Sequence, residues 1–175
     1  PVSIKTVSGG MTVLEPSRTL FIVLKTPVIS KAIYLGSSNI YKVTSFQENS
    51  DLAALPQLTL EARVYMLGFQ TRDPYISSIM GIEGKFLVRI GDSGVDPNQI
   101  QVASSRNLTN SDLKLDAGRW YHVAVTFESG NVKVYLDGAE KCSGNVGTSS
   151  VNFGVAHSDE SDGKPRCFWI GYSYA

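Results

Sequence analysis

Leu115-Asp116-Ala117-Gly118-Arg119-Trp120-Tyr121-His122-Val123-Ala124-Val125-Thr126-Phe127 carries an unbroken two-residue period over its second half. Tyr121, Val123, Val125 and Phe127 alternate with Trp120, His122, Ala124 and Thr126, the pattern of a strand whose two faces meet different surroundings. Glu128-Ser129-Gly130-Asn131 reads as a turn, after which Val132, Val134 and Leu136 occupy one face and Lys133 and Tyr135 the other. Asp137-Gly138 then predicts a type I′ hairpin, because both central residues of that turn must tolerate positive φ. Three strands of an antiparallel meander are expected from this region alone.

Composition fits an all-β chain. One domain is the simplest count for 175 residues, and 16 Gly, 7 Pro, 8 Tyr and 7 Phe suit short strands joined by turns. Lys plus Arg equals Asp plus Glu at 16 each, so no net field draws the chain to nucleic acid or to an acidic membrane. No apolar run approaches the length of a membrane span.

The clearest second two-faced strand is 58–66, where Leu58, Leu60, Ala62, Val64 and Met66 alternate with Thr59, Glu61, Arg63 and Tyr65. Further strands are predicted at 32–35, 40–43, 76–82, 86–90, 100–103, 151–155 and 168–172, with one capped helical turn at 50–55 that Pro56 ends. Such short spacing leaves no room for the helices of βαβ units and predicts antiparallel β structure. Upstream, 2–7 and 19–25 read as strands separated by Gly9-Gly10, and Pro27 marks a junction. The chain divides into N-terminal strands, 1–27, and a main domain, 28–175. The N-terminal strands are either the tail of a preceding β-sandwich domain or an extra edge of the main sandwich.

The 115–138 region, with Gly-Arg-Trp-Tyr-His-Val-Ala, a short turn, Val-x-Val-Tyr and Asp-Gly, resembles the laminin-G-like, pentraxin-like branch of the concanavalin A-like lectin and glucanase superfamily. The likeness extends more loosely from about Ala32 to the C-terminus. It implies an antiparallel β-sandwich, a jelly roll, in an extracellular or cell-surface protein, and the 1–27 segment resembles the last strands of a β-sandwich domain that precedes lectin-like domains in surface lipoproteins of gut bacteria. In the related families the strand matching 58–66 lies in the centre of a sheet. They also continue past Phe168-Trp169-Ile170-Gly171 into one more strand, so either the chain given stops short of it or an N-terminal strand takes its place.

The scaffold implies no single ligand, because it hosts lectins, glycanases and adhesion modules. Glycanases of the superfamily carry acidic residues at alternate positions of one strand, about 5–5.5 Å apart for a retaining mechanism, and no strand here has that pattern. The nearest approach, His157-Ser158-Asp159-Glu160-Ser161-Asp162-Gly163, is a polar loop. The leading expectation is therefore a noncatalytic recognition module for glycans, with Arg63, Tyr65, His157 and Asp159 as candidate contacts. A structural or protein-binding adhesion domain is the alternative, and a glycoside hydrolase comes third.

Other singled-out residues read more simply. His122 is expected to be structural, having no Ser, Cys or Asp at informative spacing, and Trp120 and Trp169 are expected to pack in the core or on a sheet. Calcium is the one cofactor with candidate donors: Asp159, Glu160 and Asp162 in one loop, and Asp92-Ser93-Gly94-Val95-Asp96-Pro97-Asn98 in another. The favoured reading of both loops is a solvated turn, where Asp, Asn, Ser and Gly suit the geometry. Cys142 and Cys167 are a candidate disulfide or two separate thiols, and neither has partners at zinc-ligand spacing.

Overall fold

The computed structural model describes residues 3–7, 11–15, 41–43, 50–72, 76–154 and 168–171. The described strands are β1 (Ser3–Val7), β2 (Met11–Glu15), β3 (Tyr41–Val43), β4 (Gln57–Tyr65), β5 (Ser77–Ile82), β6 (Phe86–Asp92), β7 (Val95–Ala103), β8 (Leu108–Lys114), β9 (Trp120–Glu128), β10 (Asn131–Leu136), β11 (Ala139–Asn145) and β12 (Phe168–Ile170). One sheet runs β11-β10-β9-β4 and the other β3-β12-β5-β6-β7-β8, while β1 and β2 pair with each other. Every pairing is antiparallel. The two larger sheets make the expected sandwich.

The core follows directly from the alternation in β9. Tyr121, Val123, Val125 and Phe127 are buried, while Trp120, His122, Ala124 and Thr126 are only partly covered. Leu58 and Leu60 of β4 and Val132, Val134 and Leu136 of β10 extend the same inner face and pack against Met80, Val88, Ile100 and Val102 of the opposite sheet. The rings of Phe86 (β6) and Phe127 (β9) meet edge-on across the interface, 5.7 Å between centroids at 74°. Burying each such side chain contributes about 1.5–3 kcal/mol.

Two tight turns set the register of the meander. Ser129 and Gly130 have φ of 46° and 94°, and Asp137 and Gly138 have 50° and 83°, so both hairpins have positive φ at both central positions. Asp137 is bonded further: its N–H donates to the His122 carbonyl at 2.8 Å, and its Oδ1 accepts the His122 N–H at 2.8 Å. The side chain tolerates the left-handed conformation and also ties the turn to β9.

Several expectations need correction. β4 is not central: it is the outermost strand of its sheet among the described residues, with β9 as its described neighbour. Within the strand expected at 151–155 the described residues make one bridge, in which Val151 and Leu55 exchange N–H···O bonds at 2.9 Å, and the Phe153 N–H donates to the Leu52 carbonyl at 2.9 Å, so this stretch pairs with the 52–55 segment and not with a strand of either sheet. β2 and β8 were not expected from the sequence. The helical turn expected at 50–55 is a short 3-10 turn, Ser50–Leu52. The strands expected at 19–25 and 32–35 lie outside the described residues.

The Asp92–Asn98 stretch takes the turn form expected of it. Asp92 ends β6 and Val95 begins β7, joined by Ser93 and Gly94, so these residues form a hairpin turn. The side chains of Asp92, Asp96 and Asn98 already have partners within the protein. The Asp92 carboxylate accepts from Arg89 and from the Ser93 N–H, Asp96 lies 2.6 Å from Lys114 Nζ, and Asn98 Nδ2 donates to the Leu115 carbonyl at 3.0 Å. That is the competition for donors expected of a structural turn.

On the face of the larger sheet that points away from the core, Ser78, Arg89 and Gln101 sit opposite one another on β5, β6 and β7 and are buried. Arg89 Nε and Nη2 donate to Gln101 Oε1 at 2.9 and 2.6 Å, Nη2 also reaches the Asp92 carboxylate, and Nη1 lies 3.7 Å from Glu83 Oε2. A buried guanidinium held this way is structural, since losing one partner strands the charge.

Gly81 and Gly138 give contrasting tests of the fold. A Cβ on Gly81, at φ +132°, would collide with the Phe86 carbonyl oxygen and the Leu87 Cα of the neighbouring strand, whereas one on Gly138 meets nothing within 4 Å. Gly81→Ala is expected to cost about 3 kcal/mol or more and Gly138→Ala about 1–2 kcal/mol by urea unfolding, from strain plus overpacking against strain alone. Equal costs would contradict this strand packing. Cys142 is buried in β11, and burial, assisted by the Glu140 charge, pushes its thiol pKa up. Because the thiolate is the reactive form, reduced native protein at pH 8 should be alkylated at Cys142 far more slowly than protein in urea, read by peptide mass spectrometry. Equal rates would contradict the burial.

Candidate functional site

The outer face of β4 and β9 collects the exposed aromatic and charged groups. The register pairs Tyr65 with Trp120, Arg63 with His122 and Glu61 with Ala124. Because alternate residues share a face, Glu61, Arg63 and Tyr65 point the same way as Trp120 and His122, opposite to Leu58, Leu60, Val123 and Val125. The Tyr65 and Trp120 rings lie 5.4 Å apart at 59°, a tilted cross-strand pair. Tyr65 is 42% exposed, and Leu67, just beyond the strand, is 70% exposed.

The ledge is anchored at both ends of its aromatic pair. Gly118 N–H donates to the Met66 carbonyl at 2.8 Å, joining the chain that enters β9 to the chain that leaves β4. Gly118 holds φ +84° there, a conformation glycine adopts without a side-chain penalty. One step further along the rim, the Tyr121 hydroxyl donates to Asp116 Oδ2 at 3.0 Å and accepts from the Asp116 N–H at 2.8 Å. The Arg119 guanidinium sits 4.1 Å above the Tyr121 ring centroid and 2.9 Å from Asp137 Oδ2.

Beside the aromatic pair, His122 Nε2 approaches Glu61 Oε2 at 3.3 Å, a diagonal cross-strand contact between half-buried side chains. Arg63 is exposed on the same face. The surface therefore offers two ring faces, a guanidinium, an imidazole and a carboxylate within two strand positions of one another. That is a set able to stack on an apolar ring face and to exchange hydrogen bonds around it.

Of the residues singled out from sequence, Arg63 and Tyr65 lie together on this face. His157, Asp159, Glu160, Asp162 and Cys167, and with them the expected loop contacts, calcium donors and Cys142–Cys167 pairing, lie outside the described residues. Trp120 packs on the sheet, the second of the two places expected for it: it is a half-buried partner of Tyr65 on the outer face. The alternation in β9 had already set it apart from the core residues; only the register could bring it beside Tyr65. His122 and Glu61 were missed as a pair for the same reason.

Residues 36–170 match a family model described as the concanavalin A-like lectin/glucanases superfamily. A search of curated proteins found no match. Among solved structures the chain is similar to domain 4 of AbnA, a GH43 extracellular arabinanase from Geobacillus stearothermophilus in complex with arabinotriose, at 19% identity and a TM-score of 0.41, covering 68% of this chain and 59% of that one. It is also similar to domains LG4-5 of the mouse laminin alpha1 chain, at 10% identity and a TM-score of 0.42, covering 80% of this chain and 43% of that one. The chain thus spans about half the length of these two structures. With the family match covering well over half of its residues, and with its two antiparallel sheets enclosing one core, the chain belongs to the concanavalin A-like lectin/glucanases superfamily.

Proposed function

We propose that the outer face of β4 and β9 is a noncatalytic carbohydrate-recognition surface, carried by an extracellular or cell-surface protein. The observation that carries the proposal is the Tyr65–Trp120 pair, with rings 5.4 Å apart at the edge of a sheet face that also bears Arg63, His122 and Glu61. Aromatic rings present an apolar face to the C–H side of a sugar, and flanking polar groups reach its hydroxyls. Tyr65 needs no rearrangement to do this, since it is already exposed. In this proposal His157 and Asp159 supply further contacts, and a calcium ion held by Asp159, Glu160 and Asp162 would order that loop.

The noncatalytic element of the proposal rests on spacing. Glycoside hydrolysis needs two carboxyl groups about 5–10 Å apart. On this face Glu61 lies opposite Ala124, and Glu128 is four residues further along β9, about 13 Å away at 3.3 Å per residue. Glu61 faces His122, and Glu128 accepts a hydrogen bond from Gln57 at 2.8 Å.

A second reading, a protein-binding adhesion surface, draws on Leu67, whose 70% exposure extends the aromatic ledge with an aliphatic group. The two readings separate in a thermal-shift screen against polysaccharides, run with calcium and with chelator. A ligand specific to the folded state stabilises it by about 2.7 kcal/mol at a hundred times its dissociation constant. We expect a polysaccharide-dependent rise in Tm, and an affinity about tenfold weaker in Tyr65→Ala, equivalent to ~1.4 kcal/mol. Flat curves with every polysaccharide, or a rise indifferent to Tyr65→Ala, would overturn the proposal. Loss of the rise in chelator would assign calcium a part in it.

A further inference from the structure

Arg63 and Lys141 are the cations of the four-stranded sheet with no counter-charge among the described residues, and of the two only Arg63 lies beside the aromatic pair. Lys133 Nζ lies 3.1 Å from Glu140, Arg119 Nη2 lies 2.9 Å from Asp137, and His122 Nε2 lies 3.3 Å from Glu61. Arg63 is exposed, and no carboxylate among the described residues stands within ion-pair distance of it. Its near neighbour on the strand, Glu61, faces His122. Lys141, exposed on β11, is three strands away, about 14 Å at 4.7–4.9 Å per strand.

Position makes this charge useful. Arg63 and Tyr65 are successive residues on one face of β4, about 7 Å apart along the strand. A sugar ring stacked on Tyr65 and Trp120 therefore brings its ring substituents within the reach of the guanidinium. A guanidinium presents a planar fork of donors that matches a carboxylate or a sulfate bidentately, a geometry that a neutral hydroxyl cannot use fully.

Building on the carbohydrate-recognition reading, we infer that this surface selects an acidic glycan, with the carboxylate of a uronate or the sulfate of a sulfated sugar held by Arg63 while the ring rests on Tyr65 and Trp120. The same residue type elsewhere in the fold, Arg89, has its donors consumed by Gln101 and Asp92. Arg63 keeps its donors for a ligand.

The test uses binding isotherms of the whole chain with four polysaccharides, dextran, dextran sulfate, polygalacturonate and methyl-esterified polygalacturonate, and with poly-glutamate as an acidic polymer that is not a glycan. The expected result is at least tenfold tighter binding to one acidic polymer than to its neutral counterpart. Arg63→Gln should abolish that preference, and Arg63→Lys, which keeps the charge without the fork, should restore only part of it. Arg106→Gln, which removes an exposed cation from the turn after β7, should leave the isotherms unchanged. Preference for dextran sulfate assigns a sulfate, and preference for polygalacturonate assigns a carboxylate. Equal binding to acidic and neutral polymers, or a preference that survives Arg63→Gln or falls equally with Arg106→Gln, overturns the acidic selection. In those cases a dependence on Tyr65 would still uphold the carbohydrate surface. Binding to none of the four, or binding to poly-glutamate as tight as to either acidic polymer, overturns the glycan assignment itself.

Discussion

β9 is hydrogen-bonded on both flanks, to β4 over nine residue pairs and to β10 over six, and the fold and the candidate site both depend on that double pairing. Its inner residues supply the centre of the core, and its outer residues supply half of the aromatic and charged surface. A slip of one residue against β4 would turn Leu58 and Leu60 outward and bring Tyr65 and Arg63 inward. Register is therefore held by hydrophobic burial on one face, and the outer face inherits its arrangement without needing strong interactions of its own. The tight turns on both sides of β10 reinforce this, because a two-residue loop with positive φ permits one strand pairing only.

The strands whose two faces differ most were legible in the sequence. β4, β9 and β10 alternate cleanly and are found where the alternation puts them. β8 was not legible, since Leu108-Thr109-Asn110-Ser111-Asp112-Leu113-Lys114 buries Leu113 alone and lies at the end of its sheet. The stretch around Val151 misled in the opposite sense: Val151 and Phe153 are buried, but they bond to Leu55 and Leu52 rather than to a strand of either sheet. A local apolar pattern reports burial, and burial does not require a strand.

The candidate site was legible in its parts. Arg63 and Tyr65 could be placed on one face of one strand from their spacing, and Trp120 and His122 on one face of another. Their meeting across strands depends on register, a long-range quantity that no short window contains. Two arginines, one on the outer face of each sheet, illustrate how far residue type falls short of role. Arg89 lies between Ser78 and Gln101 on flanking strands, is buried, and holds its own sheet together. Arg63 lies on an outermost strand with one flank open among the described residues and is exposed, so its charge is available.

The most direct measurement is an amide NMR titration of isotopically labelled protein with oligosaccharide fragments of polygalacturonate and of dextran sulfate. If the outer face of β4 and β9 is the recognition surface, shift changes will concentrate at 61–67 and 118–122 and leave β5, β6 and β7 unmoved. Changes centred on β5 to β7, with 61–67 and 118–122 silent, would contradict it.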